Sequence, residues 1–221
     1  MMAEFTDQLQ AATSSLWQKS QDHPFVKELA SGELPLKKFR FYLLQDRYYL
    51  DEFTKFHQLI AATAEDQQIA DFVRARAQDL RDTEIKVREQ FFQELAITSE
   101  EVLKTPIAPT AYAYVNHLYQ SLARDGLGAG VAAIVPCYWL YQEIGKSLAD
   151  TDSPVTYYQE WIDTYEDDWY QVNVAKVLAL TNQLADQATE DERQGMRDAF
   201  IRSSYYELQF WQMAYEEEGW N

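Results

Sequence analysis

The sequence predicts an all-α protein, a single-domain helical bundle over residues 1–221, on three observations. Glycine and proline are sparse, 7 and 6 in 221 residues, which leaves little material for the tight turns that a sheet protein needs. Hydrophobic residues make up 47 % and aromatics 14 % of the chain, enough to fill one large core. Apolar residues return at steps of three and four along nearly the whole length, and no stretch alternates as a half-buried strand would.

The elements follow in order. Phe5, Leu9, Ala12 and Leu16 lie at helical spacing, and the pattern stops before His23-Pro24, because proline pushes the preceding residue out of the α region. A short helix from Phe25 to Ala30 ends at Ser31-Gly32. Pro35 suits the first turn of a long helix whose inward stripe is Phe39, Tyr42, Asp46, Tyr49, Phe53 and Ile60. One helix is expected from Asp66 to Ala96, with Ile69, Val73, Leu80, Val87 and Phe91 inward and its charges on a solvated face.

After a loop at Pro106–Pro109, Ala111, Tyr114, Val115, Leu118 and Leu122 form the next stripe, broken at Asp125-Gly126-Leu127-Gly128. The helix that follows places Gly130, Ile134, Cys137, Tyr141, Ile144 and Leu148 on one face, and Pro136 inside it predicts a kink beside the thiol. Pro154 opens a helix with Tyr157, Trp161 and Tyr165 inward, and Val172 to Leu184 continues the pattern. Thr189 with Glu192 is a capping-box pair for a last helix with the stripe Met196, Phe200, Ser203, Glu207, Trp211 and Ala214.

Charge and motifs exclude several classes. With 19 Lys and Arg against 36 Asp and Glu, the net charge is −17, which repels phosphate backbones and acidic lipid surfaces and argues against nucleic acid or membrane as partner. The uncharged stretch from Gly126 to Gln142 is 17 residues long and broken by Pro136, Tyr138 and Tyr141, so a buried helix is expected and not a membrane span. The first residues, Met1 to Asp7, lack a basic segment followed by an apolar one, and a cytoplasmic protein is expected. His23, His57 and His117 are scattered, and no Cys-x-x-Cys, His-Glu-x-x-His or Glu-x-x-His spacing offers a metal site. The single cysteine rules out an intramolecular disulfide.

What stands out is that three helices each carry one ionisable or nucleophilic group on an apolar stripe: Asp46, Cys137 and Glu207. Buried carboxylates are uncommon unless paired. Singly, each side chain has a packing or pairing explanation. If they converge, a thiol with raised-pKa carboxyls makes a nucleophile with an acid/base partner, and the inward tyrosines Tyr49, Tyr114, Tyr141 and Tyr165 would wall a flat heteroaromatic ligand.

The sequence also resembles the TenA/thiaminase II family. The resemblance runs through Phe41–Leu50 (FYLLQDRYYL), Pro109–Tyr114 (PTAYAY), Pro136–Ile144 (PCYWLYQEI), Tyr158–Tyr165 (YQEWIDTY) and Tyr206–Tyr215 (YELQFWQMAY). The five segments occur in family order, and the Pro136-Cys137 pair belongs to the cysteine-bearing branch.

The resemblance implies a heme-oxygenase-like bundle, a homotetramer, that hydrolyses aminopyrimidines in thiamin salvage with no metal or organic cofactor. The substrate class is 4-amino-5-aminomethyl-2-methylpyrimidine, converted to the hydroxymethylpyrimidine and ammonia, together with thiamin. By position, Cys137 would be the nucleophile, Glu207 the acid/base and Tyr49 the activator of the thiol; Asp46, Tyr141, Tyr165 and Tyr114 would bind substrate. The alternative on the same fold is a non-catalytic binder or regulator, with heme held through an early histidine such as His23.

Overall fold

Helix boundaries fall where the punctuating residues put them. The structure, a computed structural model, describes residues 4–82, 84–166 and 168–220. Among the described residues there are helices and no strand. In chain order they are α1 (Phe5–Gln21), α2 (Pro24–Ser31), α3 (Leu36–Thr63), α4 (Gln67–Asp82), α5 (Glu84–Glu94), α6 (Ser99–Lys104), α7 (Pro109–Leu148), α8 (Thr156–Glu166), α9 (Asp168–Gln187) and α10 (Glu190–Glu216). The helix expected over Asp66–Ala96 is described as α4 and α5, and Thr83 between them lies outside the described residues.

The capping chemistry matches the boundaries. His23 caps α2, its Nδ1 accepting from the Phe25 N–H at 3.1 Å, with Pro24 in the first turn. At α10 the Thr189 N–H donates to Glu192 Oε2 at 2.8 Å and the Glu192 N–H to Thr189 Oγ1 at 3.4 Å, the reciprocal box that the spacing predicts.

The chain divides into two compact units, each discontinuous in sequence: Met1–Leu34 with His117–Gln212, and Pro35–Asn116 with Met213–Asn221. In the first unit, Trp17 meets Trp139 edge-on with centroids 5.1 Å apart and donates from its indole N–H to Ser204 Oγ at 3.1 Å. The inward face of α1 is Phe5, Leu9, Thr13 and Trp17. Ala12 is exposed and Leu16 half-buried, so the stripe turns one residue from the expected line; Thr13 is accommodated because its hydroxyl donates to the Leu9 carbonyl at 3.0 Å.

α7 is two helical runs joined at Gly126, whose φ of 83° and ψ of −171° only glycine adopts readily. In a continuous helix residues 122 and 130 would stand about 12 Å apart. Instead a Cβ at Gly130 would lie 3.5 Å from the Leu122 Cα, so the chain folds back on itself. Pro136 does not break the second run: Gly126 alone leaves helical dihedrals. A proline φ near −65° is itself helical, so the run loses one hydrogen bond at Pro136 without leaving helical dihedrals. Every residue from 129 to 142 is buried except Cys137. No described helix is long and apolar enough to cross a membrane.

In the second unit, Gln45 on α3 anchors the loop leading into α7. Its amide donates to the Pro106 carbonyl at 3.0 Å and its Oε1 accepts from the Ala108 N–H at 2.9 Å. Arg40 grips Glu101 with both carboxylate oxygens at 2.8 and 2.7 Å and also donates to the Leu95 carbonyl.

Candidate active site

The seven side chains named from the sequence fall into two sets, one in each unit. In the first unit the set is Cys137 and Tyr141 on α7, Tyr165 on α8 and Glu207 on α10. The second run of α7 and α10 travel in the same direction. Met196 packs on Gly128, its Sδ 3.0 Å from where a Cβ would stand, and further on the Tyr141 and Trp211 rings meet at 5.3 Å. Cys137 stands four residues before Tyr141 and Glu207 four before Trp211. Four residues return to nearly the same helical face about 6 Å along the axis, so residues 137 and 207 each stand one turn before one of the two touching rings.

Burial differs usefully between the two. Glu207 is 2 % exposed, whereas Cys137 is half-buried, the one exception in the otherwise buried run from 129 to 142. Aromatic rings surround Tyr141: Tyr165 at 4.9 Å, Trp211 at 5.3 Å and Trp161 at 6.1 Å. Gly145, one turn beyond Tyr141, permits this closeness, because a Cβ there would come within 2.9 Å of the Tyr165 carbonyl oxygen. The inward residues of α8 are Tyr158, Trp161, Ile162 and Tyr165. Tyr157, expected inward, is half-buried; the Tyr158 hydroxyl instead donates to the Leu34 carbonyl at 2.7 Å.

In the second unit the set is Asp46 and Tyr49 on α3 and Tyr114 on the first run of α7, all buried. The rings of Tyr49 and Tyr114 lie 4.9 Å apart, and Tyr49 stacks on Phe53 at 5.1 Å. Asp46 accepts at Oδ2 from Nε of Arg88 on α5. The expectation that the charges of this segment face solvent is therefore wrong for two residues: Arg88 is 2 % and Glu84 7 % exposed, while Val87, expected inward, is half-buried. Glu84, Arg88 and Phe91 recur at helical spacing, and the signal was a charged pair standing on that stripe as Asp46 stands on its own.

Burial pushes Asp46 above the usual carboxylate range, and Arg88 pulls it back. Glu84 is raised to about 7, by burial first and then, against the pull of Arg88, by the Asp46 charge. The histidines serve packing. His57 is fully buried, its Nδ1 2.7 Å from the Phe53 carbonyl, and burial lowers it to about 4. His117 meets Ser203 Oγ at 3.1 Å, and burial lowers it too. Both ring nitrogens of His23 are engaged, Nδ1 at the α2 cap and Nε2 with Gln212 Oε1 at 3.0 Å, which opposes a heme-ligating role. Among the described residues no three His, Cys, Asp or Glu side chains gather closely enough to hold a metal ion.

The fold is all-α, with a half-buried cysteine one turn before Tyr141, whose ring sits among Tyr165, Trp211 and Trp161, and a buried glutamate one turn before Trp211. A model of the TENA/THI-4/PQQC family matches residues 10–217, and the chain belongs to that family. The aminopyrimidine aminohydrolase of Bacillus subtilis (strain 168) is 38 % identical over 218 residues, which cover 99 % of this chain and 92 % of that protein. The TenA homologue protein from P. horikoshii OT3 superposes with a TM-score of 0.87 at 31 % identity, over 97 % of this chain and 99 % of its own. A Shewanella denitrificans domain described as having a heme oxygenase-like fold superposes with a TM-score of 0.73 at 13 % identity, over 98 % of this chain and 94 % of its own, a likeness of fold alone.

Proposed function

We propose that the chain is an aminopyrimidine aminohydrolase acting in thiamin salvage. The reading is carried by 38 % identity with an aminopyrimidine aminohydrolase over nearly the whole chain, joined to Cys137 and Glu207 standing one turn before the Tyr141 and Trp211 rings, which meet at 5.3 Å. The reaction replaces the exocyclic amine of 4-amino-5-aminomethyl-2-methylpyrimidine by hydroxide. Water is consumed and ammonia released; thiamin is cleaved at the same methylene.

The Cys137 thiolate forms a bond to a ring carbon while Glu207 delivers a proton to a ring nitrogen, so the adduct is neutral and no longer aromatic. Its electrons then expel the leaving group from the methylene, breaking the carbon–nitrogen bond, and the departing nitrogen keeps the bonding pair. The amine, which enters as the ammonium, leaves as ammonia; water adds to the exposed methylene and gives up a proton to the departed nitrogen, the sulfur leaves with its electron pair, and the ring proton returns to Glu207. Tyr141 and Tyr165 offer ring faces to the flat pyrimidine. For Asp46, Tyr49 and Tyr114 the family resemblance is the support: Asp46 as acceptor for the amino edge, Tyr49 as hydrogen-bonding activator of the thiol, Tyr114 as a substrate contact. The reading includes a cytoplasmic homotetramer.

An ammonia-release assay on the aminomethylpyrimidine, run beside a thiamin-cleavage assay, tests it. Cys137→Ser and Glu207→Gln are each expected to cut turnover by about a thousandfold with the helical circular dichroism intact. Wild-type turnover in Cys137→Ser would remove the nucleophile from the scheme.

A further inference from the structure

Asp46, Arg88 and Glu84 form a buried charged cluster within the second unit, at 4 %, 2 % and 7 % exposure. An ion pair this deep adds little net stability over well-packed apolar side chains. It does fix a charge state. A carboxyl buried without a cation takes up a proton and becomes both donor and acceptor, whereas an ionised one only accepts. Arginine suits the task because it stays protonated throughout the working pH range and its planar fork sets the direction of the bond.

The geometry favours Asp46 as the group that keeps the charge. Arg88 Nε donates to its Oδ2, while Glu84, one turn before Arg88 on α5, is the second carboxyl near the same guanidinium and is raised to about 7. Both carboxyls are opposed by burial and favoured by Arg88. Among the described residues, Arg47 and Asp51 on α3 and Glu89 on α5 are the other charged groups that line the small pocket beside Arg88.

We propose that Arg88 is a positioning residue that determines specificity: by holding Asp46 as an acceptor-only carboxylate, it selects pyrimidines presenting an amino donor over those presenting an oxo acceptor. This rests on the reading above, in which Asp46 meets the amino edge of the substrate. With Arg88 removed, burial protonates Asp46, and the neutral carboxyl donates as well to an oxo group.

The test compares wild type, Arg88→Met and Arg88→Lys in three readouts: KM for the aminomethylpyrimidine, the pH profile of kcat/KM, and competitive inhibition by the 4-oxo counterpart. In Arg88→Met, KM should rise by about tenfold or more and kcat should fall less than KM rises, as the loss of a charge-assisted hydrogen bond implies. The acid limb of kcat/KM should move to higher pH, and the preference for amino over oxo should shrink by about tenfold. Arg88→Lys should keep the wild-type acid limb, because the cation remains, while KM rises because the fork geometry is lost. A folded Arg88→Met with the wild-type acid limb and preference overturns the proposal. If Arg88→Met lacks the helical circular dichroism signal, Arg88→Lys decides, and wild-type KM in that variant overturns it. A wild-type protein that turns over no aminopyrimidine counts against the function itself; calorimetric binding of the amino and oxo pyrimidines then still reads the preference.

Discussion

The Tyr158 hydroxyl donates to the Leu34 carbonyl at 2.7 Å from a side chain that is 1 % exposed. Tyr158→Phe leaves that carbonyl without its donor, which costs about 1–2 kcal/mol and lowers Tm by about 2–8 °C in a chain of this size. KM for the aminomethylpyrimidine should stay at its wild-type value; a thermal melt and a steady-state assay check both, and an unchanged Tm would mean that solvent satisfies the carbonyl. The same residue shows where periodicity runs short. Tyr157 and Tyr158 are equally apolar by pattern, and only the hydroxyl's long-range partner, 124 positions away in sequence, turns Tyr158 inward. Asp46 and Glu207 were legible as carboxylates interrupting apolar stripes, and both are buried. Arg88 and Glu84 share the helical spacing of Phe91 but stand among many charges, and the partner on α3 is what separates these two from the solvated ones.

At the scale of elements, α7 and α8 approach where Gly145 meets the Tyr165 backbone. A Cβ at 145 would stand 2.9 Å from the Tyr165 carbonyl oxygen and 3.0 Å from its carbonyl carbon, and backbone atoms cannot swing aside as a flexible side chain would. Gly145→Ala therefore pushes the two helices apart just where Tyr141 and Tyr165 hold their rings at 4.9 Å. The expected cost is about 1–3 kcal/mol, read as a lower Tm, with a rise in KM because two proposed substrate contacts separate. A melt and a KM within error of wild type would show that α8 yields without disturbing the rings. Helix order was legible except for the short α6 (Ser99–Lys104), which the apolar pattern did not announce, since prolines, the Thr189–Glu192 box and the Asp125–Gly128 break mark boundaries locally. The fold-back at Gly126 was legible only as a break, because a glycine at a helix end specifies freedom and the packing of Gly130 on Leu122 specifies direction. At Pro136 the helical dihedrals continue through the buried run, and Gly126 is where they depart.

Over the whole molecule, the buried titratable groups pull stability in opposite directions with pH. Glu84, raised from 4.5 to about 7 by burial, binds its proton more tightly folded than unfolded. Its contribution is present below pH 4.5 and is lost as pH rises to about 7, and burial raises Asp46 in the same sense. His57, lowered from 6.5 to about 4 by burial, binds its proton more weakly when folded. Its contribution is present above pH 6.5 and is lost as pH falls to about 4, and His117 shares that sign. Each of the two large shifts corresponds to about 3 kcal/mol. Between about pH 4.5 and 6.5 the Glu84 and His57 slopes oppose one another, so the wild-type chain should show a shallow profile there. Glu84→Gln removes one slope and leaves the other: unfolding free energy should then climb with pH across that window, by up to about 3 kcal/mol. Urea titrations at half-unit pH steps on both proteins measure the difference, and parallel profiles would mean that Glu84 is as well solvated folded as unfolded.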